Sequence, residues 1–584
     1  MNSWIHPGAI LILGALLLPL FKGRARQGYL LLLPALAFMA VLGSAEGQHG
    51  IFNFLGQKIV FGRVDKLSII FGYIFSIAAF AGMLFGINVK EDGHQIAALV
   101  YAGSAMGAVF AGDYLSLFIF WEFMAFASMF LILYRGTKKA YDAATRYILI
   151  HIFGGVCLMA GIFLQYSTTH SFAFNHVEVG GAAAVLILIG FILNAAVPPL
   201  GAWLADAYPE ATVSGAVFMS AFTTKSAVYA LIRGFAGADV LVWLGVIMAV
   251  YGVVYAVLEN DIRRLLAYHI ISQVGYMVAA VGIGTEMAIN GATAHAFAHI
   301  IYKGLLFMGA GSVLYVTGKS KLTELGGLYR TMPLTFVLYM VGGFAISSVP
   351  LFSGFVSKSI VVSAAAESHL SYAWLFLTLA SAGTFLHTGL KLPYFTFMGE
   401  NKGIAAKEPP LNMLLGMAFA AFLCIFIGIY PDFLYRMLPY AIDYRPYSAE
   451  HIVWTSQILF FTGLAFYIYI KKLGGEETIS IDTDWFYRKG SLLFMDFARK
   501  VVLKVDERIS NAYKGEILEP SKRVAANCWR FDISFIDGIV NGTANLFAEL
   551  STVFRRLQTG QVQHYAIIIV TGVIVLINLL LFFR

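Results

Sequence analysis

Residues 194–206 read NAAVPPLGAWLAD and place two adjacent prolines inside an apolar segment. A second apolar segment, 346–358, reads ISSVPLFSGFVSK and contains another proline. Proline lacks the backbone donor and its ring clashes with the preceding turn, so we predict helix breaks at Pro198 and Pro199 and at Pro350. Inside a membrane, a broken helix persists only where protein or water satisfies the freed backbone groups.

The composition around these segments is that of a membrane protein. Of the 584 residues, 59% are hydrophobic and 12% are charged, with a mean hydropathy of +0.76, whereas soluble domains are about one quarter charged. We predict an all-α membrane protein with about 16 transmembrane helices, the first of which is a retained helix and not a signal peptide. The apolar segments lie near 6–22, 27–43, 67–87, 95–111, 114–134, 142–165, 181–204, 211–233, 238–258, 264–284, 288–316, 333–363, 372–398, 411–434, 453–471 and 564–583.

Lysine and arginine are distributed unevenly between the two sets of predicted loops. One set contains Lys22, Arg24, Arg26, Lys90, Arg135, Lys138, Lys139, Arg263, Arg264, Lys319, Lys321, Arg330, Lys402 and Lys407. The other set contains only Lys58, Arg63, Lys66, Arg233, Arg436 and Arg445. By the positive-inside rule the first set is cytoplasmic, and both termini lie outside. The net charge of +7 therefore reflects membrane topology, and no nucleic-acid partner is predicted.

The two proline breaks lie five segments apart, at corresponding positions of two groups of five. Such paired interruptions are typical of inverted-repeat transporters. Near the C-terminus, charged and apolar residues at helical spacing predict a lateral amphipathic helix on the membrane surface or on another subunit, with a loosely folded tail as the alternative. The predicted regions are N-terminal helices (1–94), a first repeat (95–234), a second repeat (238–400), additional helices (405–471), the lateral helix on the cytoplasmic side (472–563) and an anchoring helix (564–584).

Several ionisable residues lie within the apolar segments. In HAFAHIIYKGLLF, residues 295–307, one helix face carries His295, His299 and Lys303. A charge at mid-bilayer costs about 3 kcal/mol, so such groups usually face a polar interior or water. A lysine that snorkels to an interface, or a histidine satisfied within the core, is the alternative. The other candidates are Glu122, Lys225, Lys358 and Lys391.

Motifs for cofactors and metals are absent from the sequence. Cys157, Cys424 and Cys528 lack CxxC spacing, so neither a disulfide framework nor a metal site is predicted. The sequence also lacks a GxGxxG motif opening a βαβ unit and a haem-attachment motif. We predict no cofactor in this chain, and any redox driving force would come from partner subunits.

Seven motifs between about residues 95 and 400 resemble those of one membrane protein family. They are WEFM, PPLGAWLADAYPEATVSGAV, KSAVYALIR, ENDIRRLLAYHIISQVGYM, HAFAHIIYKGLLFMGAGSVLY, LTELGGLYRTMPLT and PLFSGFVSK. The chain resembles the antiporter-like membrane subunits shared by respiratory complex I (NADH–quinone oxidoreductase), Mrp-type cation/proton antiporters and membrane-bound hydrogenases. Residues 536–566 resemble the end of the largest antiporter-like subunit of complex I, whereas Lys225 resembles the middle complex I subunits and the Mrp D-type subunit.

The resemblance implies a row of charged residues across the membrane midplane that moves protons through connecting water. Glu122 matches the glutamate of the family, and Lys225 and Lys303 match the central lysines of the two repeats. His295 and His299 match the histidines that connect them.

The resemblance also assigns residues near the ends of this row. Lys358 matches the lysine that follows the second helix break. Lys391 stands where some Mrp-type subunits have a basic residue, and Arg146 and Asp206 match auxiliary polar positions.

One position departs from the family pattern. The lysine that pairs with the family glutamate, four residues before the first break, is Asn194 here. We therefore expect Glu122 to find its charge partner among Arg146, His151 and Lys225, and proton transfer in the first repeat to be altered or lost.

The function that the residues and the resemblance favour is proton translocation, with Na⁺/H⁺ exchange as a variant. The expected setting is a multi-subunit complex in the inner membrane of a prokaryote, where the partners are other membrane subunits and the lipid bilayer. Two alternatives stay open. One is an assembly scaffold with impaired conduction, which Asn194 suggests, and the other is the proton-conducting partner of a bicarbonate-uptake system.

Overall fold

The structure, a computed structural model, describes residues 4–54, 56–474 and 482–583, without the side chains of 484, 486–488 and 557. In the N-terminal part the helices are α1 (Pro7–Leu16), α2 (Gly23–Leu42), α3 (Lys66–Phe85), α4 (Asp92–Phe110), α5 (Tyr114–Leu133), α6 (Lys138–Thr169), α7 (Gly181–Asn194), α8 (Ala202–Ala207), α9 (Val213–Ala221) and α10 (Thr223–Phe235). They are followed by α11 (Asp239–Leu258), α12 (Ile262–Ile283), α13 (Glu286–Thr317), α14 (Pro333–Ile346), α15 (Ser353–Glu367), α16 (Ser371–Thr384), α17 (Leu411–Ile429), α18 (Pro431–Tyr435) and α19 (Ala449–Tyr469). The C-terminal helices are α20 (Asp484–Phe497), α21 (Leu503–Ala512), α22 (Glu519–Phe531), α23 (Asp537–Leu557) and α24 (Val562–Phe582).

Twelve helices in the described part of the chain are long and apolar enough to cross a membrane. Three further apolar helices, α1, α7 and α14, are shorter. Every predicted apolar segment coincides with one helix or with two helices that flank a break. The prediction of an all-α membrane protein is confirmed. An antiparallel hairpin, β1 (Gly47–Phe54) with β2 (Gln57–Val64), is an addition in the connection between two predicted segments.

Hydrogen bonds between connections define two faces of the helix bundle. On one face the Gly112 amide donates to the Val60 carbonyl at 3.0 Å. On the other the Ile262 amide donates to the Ser320 carbonyl at 2.8 Å, among the loops rich in lysine and arginine. We call the face with Ile262 and Ser320 the basic face, and the face with Val60 and Gly112 the opposite face. The helices α4–α10 cross the bundle from face to face five times, and so do α11–α16. Because five is an odd number, the two groups start on different faces, as inverted repeats do.

Both helix breaks are present in the structure. The chain leaves helical conformation between Asn194 and Ala202 in the first repeat. In the second repeat it does so between Ile346 and Ser353. Each break frees backbone carbonyls at the end of a helix, because the last carbonyls of a helix have no partner within it.

A glycine allows the chain to pass close to itself at each break. A Cβ atom on Gly201 would lie 2.2 Å from the Ala196 carbonyl oxygen. A Cβ atom on Gly354 would lie 1.8 Å from the Ala345 carbonyl oxygen. Both distances are far below van der Waals contact, so any side chain here would force the two halves of the broken helix apart.

The start of α3 is held by a charged cap. Asp65 accepts from the Ser68 amide at 3.0 Å and forms an ion pair with Arg233 of α10 at 2.6 Å. Burial raises the pKa of Asp65, but the hydrogen bond and charge of Arg233 outweigh it, and the pKa lies below its ordinary value.

We expect Asp65→Asn to lower the stability of the purified complex at neutral pH by about 1 kcal/mol, because asparagine keeps the cap but loses the ion pair. A carboxylate with a depressed pKa contributes stability above its unfolded-state pKa of about 3.9 and loses it as the pH falls through the folded-state value. Thermal unfolding curves of the two proteins should therefore converge on acidification. Glu178→Gln, an exposed acidic residue on the same face, is the control, and a constant difference at every pH would contradict the expectation.

The chain divides into a unit that ends at Trp485 and a unit that begins at Phe486. In the second unit, the helices up to α23 succeed one another through π-helical turns at Ala498–Val502, Tyr513–Leu518 and Asp532–Ile536. Charged and apolar side chains alternate around this amphipathic segment. The apolar helix α24 follows it, in the place where an anchoring helix is expected.

Candidate functional site

Three ionisable side chains of α13, which we call the α13 cluster, lie inside the bundle. His295, His299 and Lys303 are each 0% exposed, so they face neighbouring helices and not lipid. The Nδ1 atom of His295 lies 3.2 Å from Ser357 Oγ, and its Nε2 atom lies 3.2 Å from Gln273 Oε1. Within the described residues, no protein group hydrogen-bonds Lys303 Nζ or the ring nitrogens of His299. Because an unpartnered buried ammonium is costly, Lys303 needs water beside it or must be neutral.

Two further lysines are buried beside irregular helix ends. Lys225 donates to the Ser220 carbonyl at 2.7 Å, next to the kink between α9 and α10. Lys358 donates at 3.0 Å to the carbonyl of Ile346, the last residue of α14. Helix C-terminal carbonyls carry partial negative charge, so the second break supplies an acceptor for the ammonium group of Lys358.

The buried basic groups lie close enough to influence one another. Lys225 interacts electrostatically with His299 and Lys303, across the boundary between the two repeats. Lys358 interacts in the same way with His295. Since like charges repel, a proton held by one of these groups disfavours a proton on its neighbour. A change of protonation at one group therefore alters the electrostatic energy of a proton at its neighbours.

A chain of side chains absent from the sequence predictions continues from the α13 cluster. Gln273 donates to Thr384 Oγ1 at 3.3 Å, and that oxygen lies 3.2 Å from His269 Nε2. Thr388 Oγ1 then lies 2.8 Å from His269 Nδ1 and 2.7 Å from His387 Nδ1. All five side chains are 0% exposed. These hydrogen-bonded side chains join α12 to the end of α16.

This chain leads toward the basic face. His387 and Lys391 lie on one π-helical segment, Phe385–Lys391, and Lys391 donates to the Glu259 carbonyl at 3.0 Å. The Glu259 carboxylate lies 3.3 Å from Arg264. Burial raises the pKa of Glu259 above its ordinary value, although Arg264 opposes the shift. The four-residue spacing from His387 to Lys391 repeats that of the α13 cluster, and it is the sequence signal that could have identified His387.

In the first repeat Glu122 lies half-buried on α5, beside Gly155 of α6. A Cβ atom on Gly155 would lie 2.0 Å from Glu122 Oε1, so the glycine leaves the space that the carboxylate occupies. Within the described residues, Glu122 Oε1 has no hydrogen-bond partner. Arg146, one of the three expected partners of Glu122, forms a two-point hydrogen bond with Asp206 at 2.7 and 2.9 Å.

Asn194 stands at the end of α7, immediately before the first break, and is buried. It lies near His151, which is also buried and packs its ring 4.6 Å from that of Trp203. Asn194 carries no charge, whereas the buried Lys358 donates to the last carbonyl before the second break. The two repeats therefore have the same backbone plan but different charges.

Comparisons with known proteins agree with this arrangement. The family described as NADH:quinone oxidoreductase/Mrp antiporter, TM, matches residues 111–386. An uncharacterised protein of Methanocaldococcus jannaschii is 30% identical over 425 residues, which are 67% of this chain and 88% of that protein. The D-type Na(+)/H(+) antiporter subunit of Alkalihalophilus pseudofirmus is 33% identical over 51% of this chain and 64% of its own length. For the A-type subunit of the same organism the identity is 28%, over 64% of this chain and about half of that relative, 52%.

Solved structures share the fold at low sequence identity. A chain of the membrane-bound sulfane sulfur reductase, an archaeal respiratory membrane complex, has a TM-score of 0.69 and 21% identity, over 98% of this chain and 99% of that one. A chain of the Mrp complex from Dietzia has a TM-score of 0.64 and 20% identity, over 78% and 99%. A chain of respiratory complex I from Thermus thermophilus has a TM-score of 0.64 and 22% identity, over 73% and 97%.

Broken helices in inverted repeats, with basic groups buried between them, define an antiporter-like integral membrane subunit. The chain belongs to the NADH:quinone oxidoreductase/Mrp antiporter family of membrane subunits. The family expected from the seven sequence motifs is thereby confirmed.

Proposed function

We propose that this chain translocates protons as one component of a multi-subunit complex in the inner membrane of a prokaryote. The observation that carries the proposal is the buried hydrogen-bonded chain that runs from the α13 cluster to His387. His387 lies four residues from Lys391 on the same π-helical segment, near the basic face. Two relatives named as Na(+)/H(+) antiporter subunits support ion transport as the class of activity, with Na⁺ as the candidate exchanged ion.

The side chains in the chain suit proton transfer by exchange of hydrogen bonds. A neutral imidazole has one donor and one acceptor nitrogen, so it can accept a proton on one side and release another from the other side. The Thr388 hydroxyl lies between the rings of His269 and His387, and a hydroxyl can both donate and accept. The Thr384 hydroxyl lies in the same way between Gln273 and His269. A proton that reaches His387 would thus pass through Thr388 to His269. Thr384 and Gln273 then connect His269 to the α13 cluster.

Lys303 acts in this mechanism as the group that stores charge. It lies within electrostatic reach of Lys225 and has no hydrogen-bond partner among the described protein groups. Repulsion between two ammonium groups in a low-dielectric interior is strong. Protonation of Lys225 therefore promotes proton release from Lys303, and a change in the first repeat is transmitted to the second.

The driving force enters from outside this chain. The sequence contains no cofactor motif, so we assign the energy source to partner subunits or to an opposing ion gradient. Because Asn194 replaces the lysine of the family, we expect the first repeat to conduct protons less well than the second. Under the scaffold alternative, the whole chain conducts protons poorly.

Replacing Gln273 by leucine tests the proposed route. Leucine preserves volume but removes both hydrogen bonds, to His295 and to Thr384. We expect proton uptake by the complex, reconstituted in liposomes with an internal pH dye, to fall at least about 10-fold. Ser312→Ala serves as the control, because it removes a buried polar group on α13 that does not belong to the hydrogen-bonded route. Unchanged uptake in Gln273→Leu would exclude this route.

A further inference from the structure

A cavity lies beside Lys358, between α15, α16 and α19. Its volume is about 150 Å³, enough for on the order of five water molecules at roughly 30 Å³ each. Five serines and two threonines line it, together with the Lys358 ammonium and the His451 imidazole. Seven apolar side chains complete the wall. A cavity of this size can hold water where several polar wall groups offer hydrogen bonds to it.

The cavity extends from the middle of the membrane toward the opposite face. Lys358 lies nine residues before the end of α15 at Glu367, a distance of about 14 Å along the helix axis. His451 lies in the first turn of α19, which begins on the opposite face at Ala449. The cavity therefore connects a buried lysine with a histidine near the membrane surface.

The ring of His451 is fixed with one nitrogen available. Its Nδ1 lies 2.7 Å from the Pro446 carbonyl oxygen, and its ring stacks on that of Phe355 at 4.5 Å. A carbonyl oxygen only accepts hydrogen bonds, so Nδ1 carries the hydrogen. In the neutral ring Nε2 is then the acceptor.

We propose that His451 relays protons between Lys358 and the aqueous phase on the opposite face, through water in this cavity. The Lys358 ammonium gives a proton to a cavity water as that water passes one of its own protons to Nε2 of His451. One N–H bond breaks, one N–H bond forms, and the imidazolium then releases the Nε2 proton to external water. The inference rests on the proposed function, and it places the proton outlet on α19, a helix outside both repeats.

The two ring nitrogens of His295 face different groups, and this arrangement agrees with a proton outlet at His451. Its Nε2 faces Gln273 and the route to the basic face, whereas its Nδ1 lies 3.2 Å from Ser357, the residue before Lys358. His295 thus lies between the hydrogen-bonded chain that leads toward the basic face and the residue next to Lys358 in the wall of the cavity.

Thiol labelling tests whether the cavity contains water, independently of transport. In a variant of the complex with Cys157, Cys424 and Cys528 replaced by serine, Thr455→Cys places a thiol in the cavity wall. Ser456→Cys places one at the same depth on the exposed surface of α19. A charged, membrane-impermeant methanethiosulfonate added on the opposite face should label the first within the time that leaves the second unmodified. Equal or absent labelling of the cavity thiol would overturn the inference.

Transport measurements then separate the inference from the proposed function. We expect His451→Ala to lower proton transport at least about 10-fold, and imidazole added on the opposite face to restore part of the rate. His369→Ala, in an exposed connection of the same face, is the control and should be unaffected. Wild-type transport in His451→Ala with loss of transport in Lys303→Ala would overturn the outlet alone. Wild-type transport in both variants would overturn the proposed function as well.

Discussion

Replacing Lys303 with alanine is expected to abolish proton transport by the reconstituted complex without loss of assembly. The side chain is 0% exposed and belongs to the row that links the two repeats. Removing the group that holds the transferred proton should slow transport by on the order of 10²-fold or more. Removal of a polar group that is costly to bury offsets the cost of the cavity that alanine leaves, so we expect assembly and stability to change little.

The combination of lost transport and normal assembly makes this prediction specific. A residue that only supports the structure would lower assembly and transport together. Lys321→Ala is the matched control, because Lys321 is an exposed lysine just after the same helix. Its ammonium forms an ion pair with Glu324 at 3.9 Å. Quantifying subunits in the purified complex and following the pH dye in liposomes gives both readouts. Normal transport in Lys303→Ala would support the scaffold alternative.

Gly354→Ala is expected to disrupt the second helix break and to lower both stability and transport. The added Cβ would lie 1.8 Å from the Ala345 carbonyl oxygen, so the backbone must move. Overpacking of this kind costs about 3 kcal/mol. It would also displace the neighbouring Ile346 carbonyl, to which Lys358 donates at 3.0 Å.

Gly343→Ala provides the matched control for this substitution. A Cβ atom on Gly343 would lie 3.8 Å from the nearest atom of a neighbouring helix, the Thr388 carbonyl oxygen, which is an ordinary contact. We expect the melting temperature of the complex to fall by several degrees for Gly354→Ala and to change little for Gly343→Ala. Equal melting temperatures would show that the break does not depend on close approach of the two backbone segments.

The two repeats differ in a way that bears on both predictions. Lys358 of α15 donates to the last carbonyl before the second break, whereas the residue before the first break is the neutral Asn194. In the first repeat, Glu122 Oε1 also lacks a hydrogen-bond partner among the described groups. The hydrogen-bonded chain and the polar cavity both belong to the second repeat and its neighbours. We therefore expect substitutions in the second repeat to have the larger effects.

Much of the fold was predictable from local features of the sequence. Long apolar segments must cross the bilayer, because backbone polar groups in lipid have to be satisfied within the segment. The helix breaks follow from Pro198, Pro199 and Pro350, since a proline in a helix interior removes a backbone hydrogen bond and clashes with the preceding turn. The hairpin β1–β2 was missed because its strands, in a connection between helices, carry no signal as strong as a membrane span.

By itself the sequence determined that this protein lies in a lipid bilayer, where its helices break, and that three ionisable groups share one face of α13. These properties depend on residues adjacent in the chain or one helical turn apart. Only the tertiary structure decided that His269, His387 and Gln273 form one chain, and that His451 shares a cavity with Lys358. Those contacts join residues about a hundred positions apart, so they depend on how helices pack against one another, which no local pattern encodes.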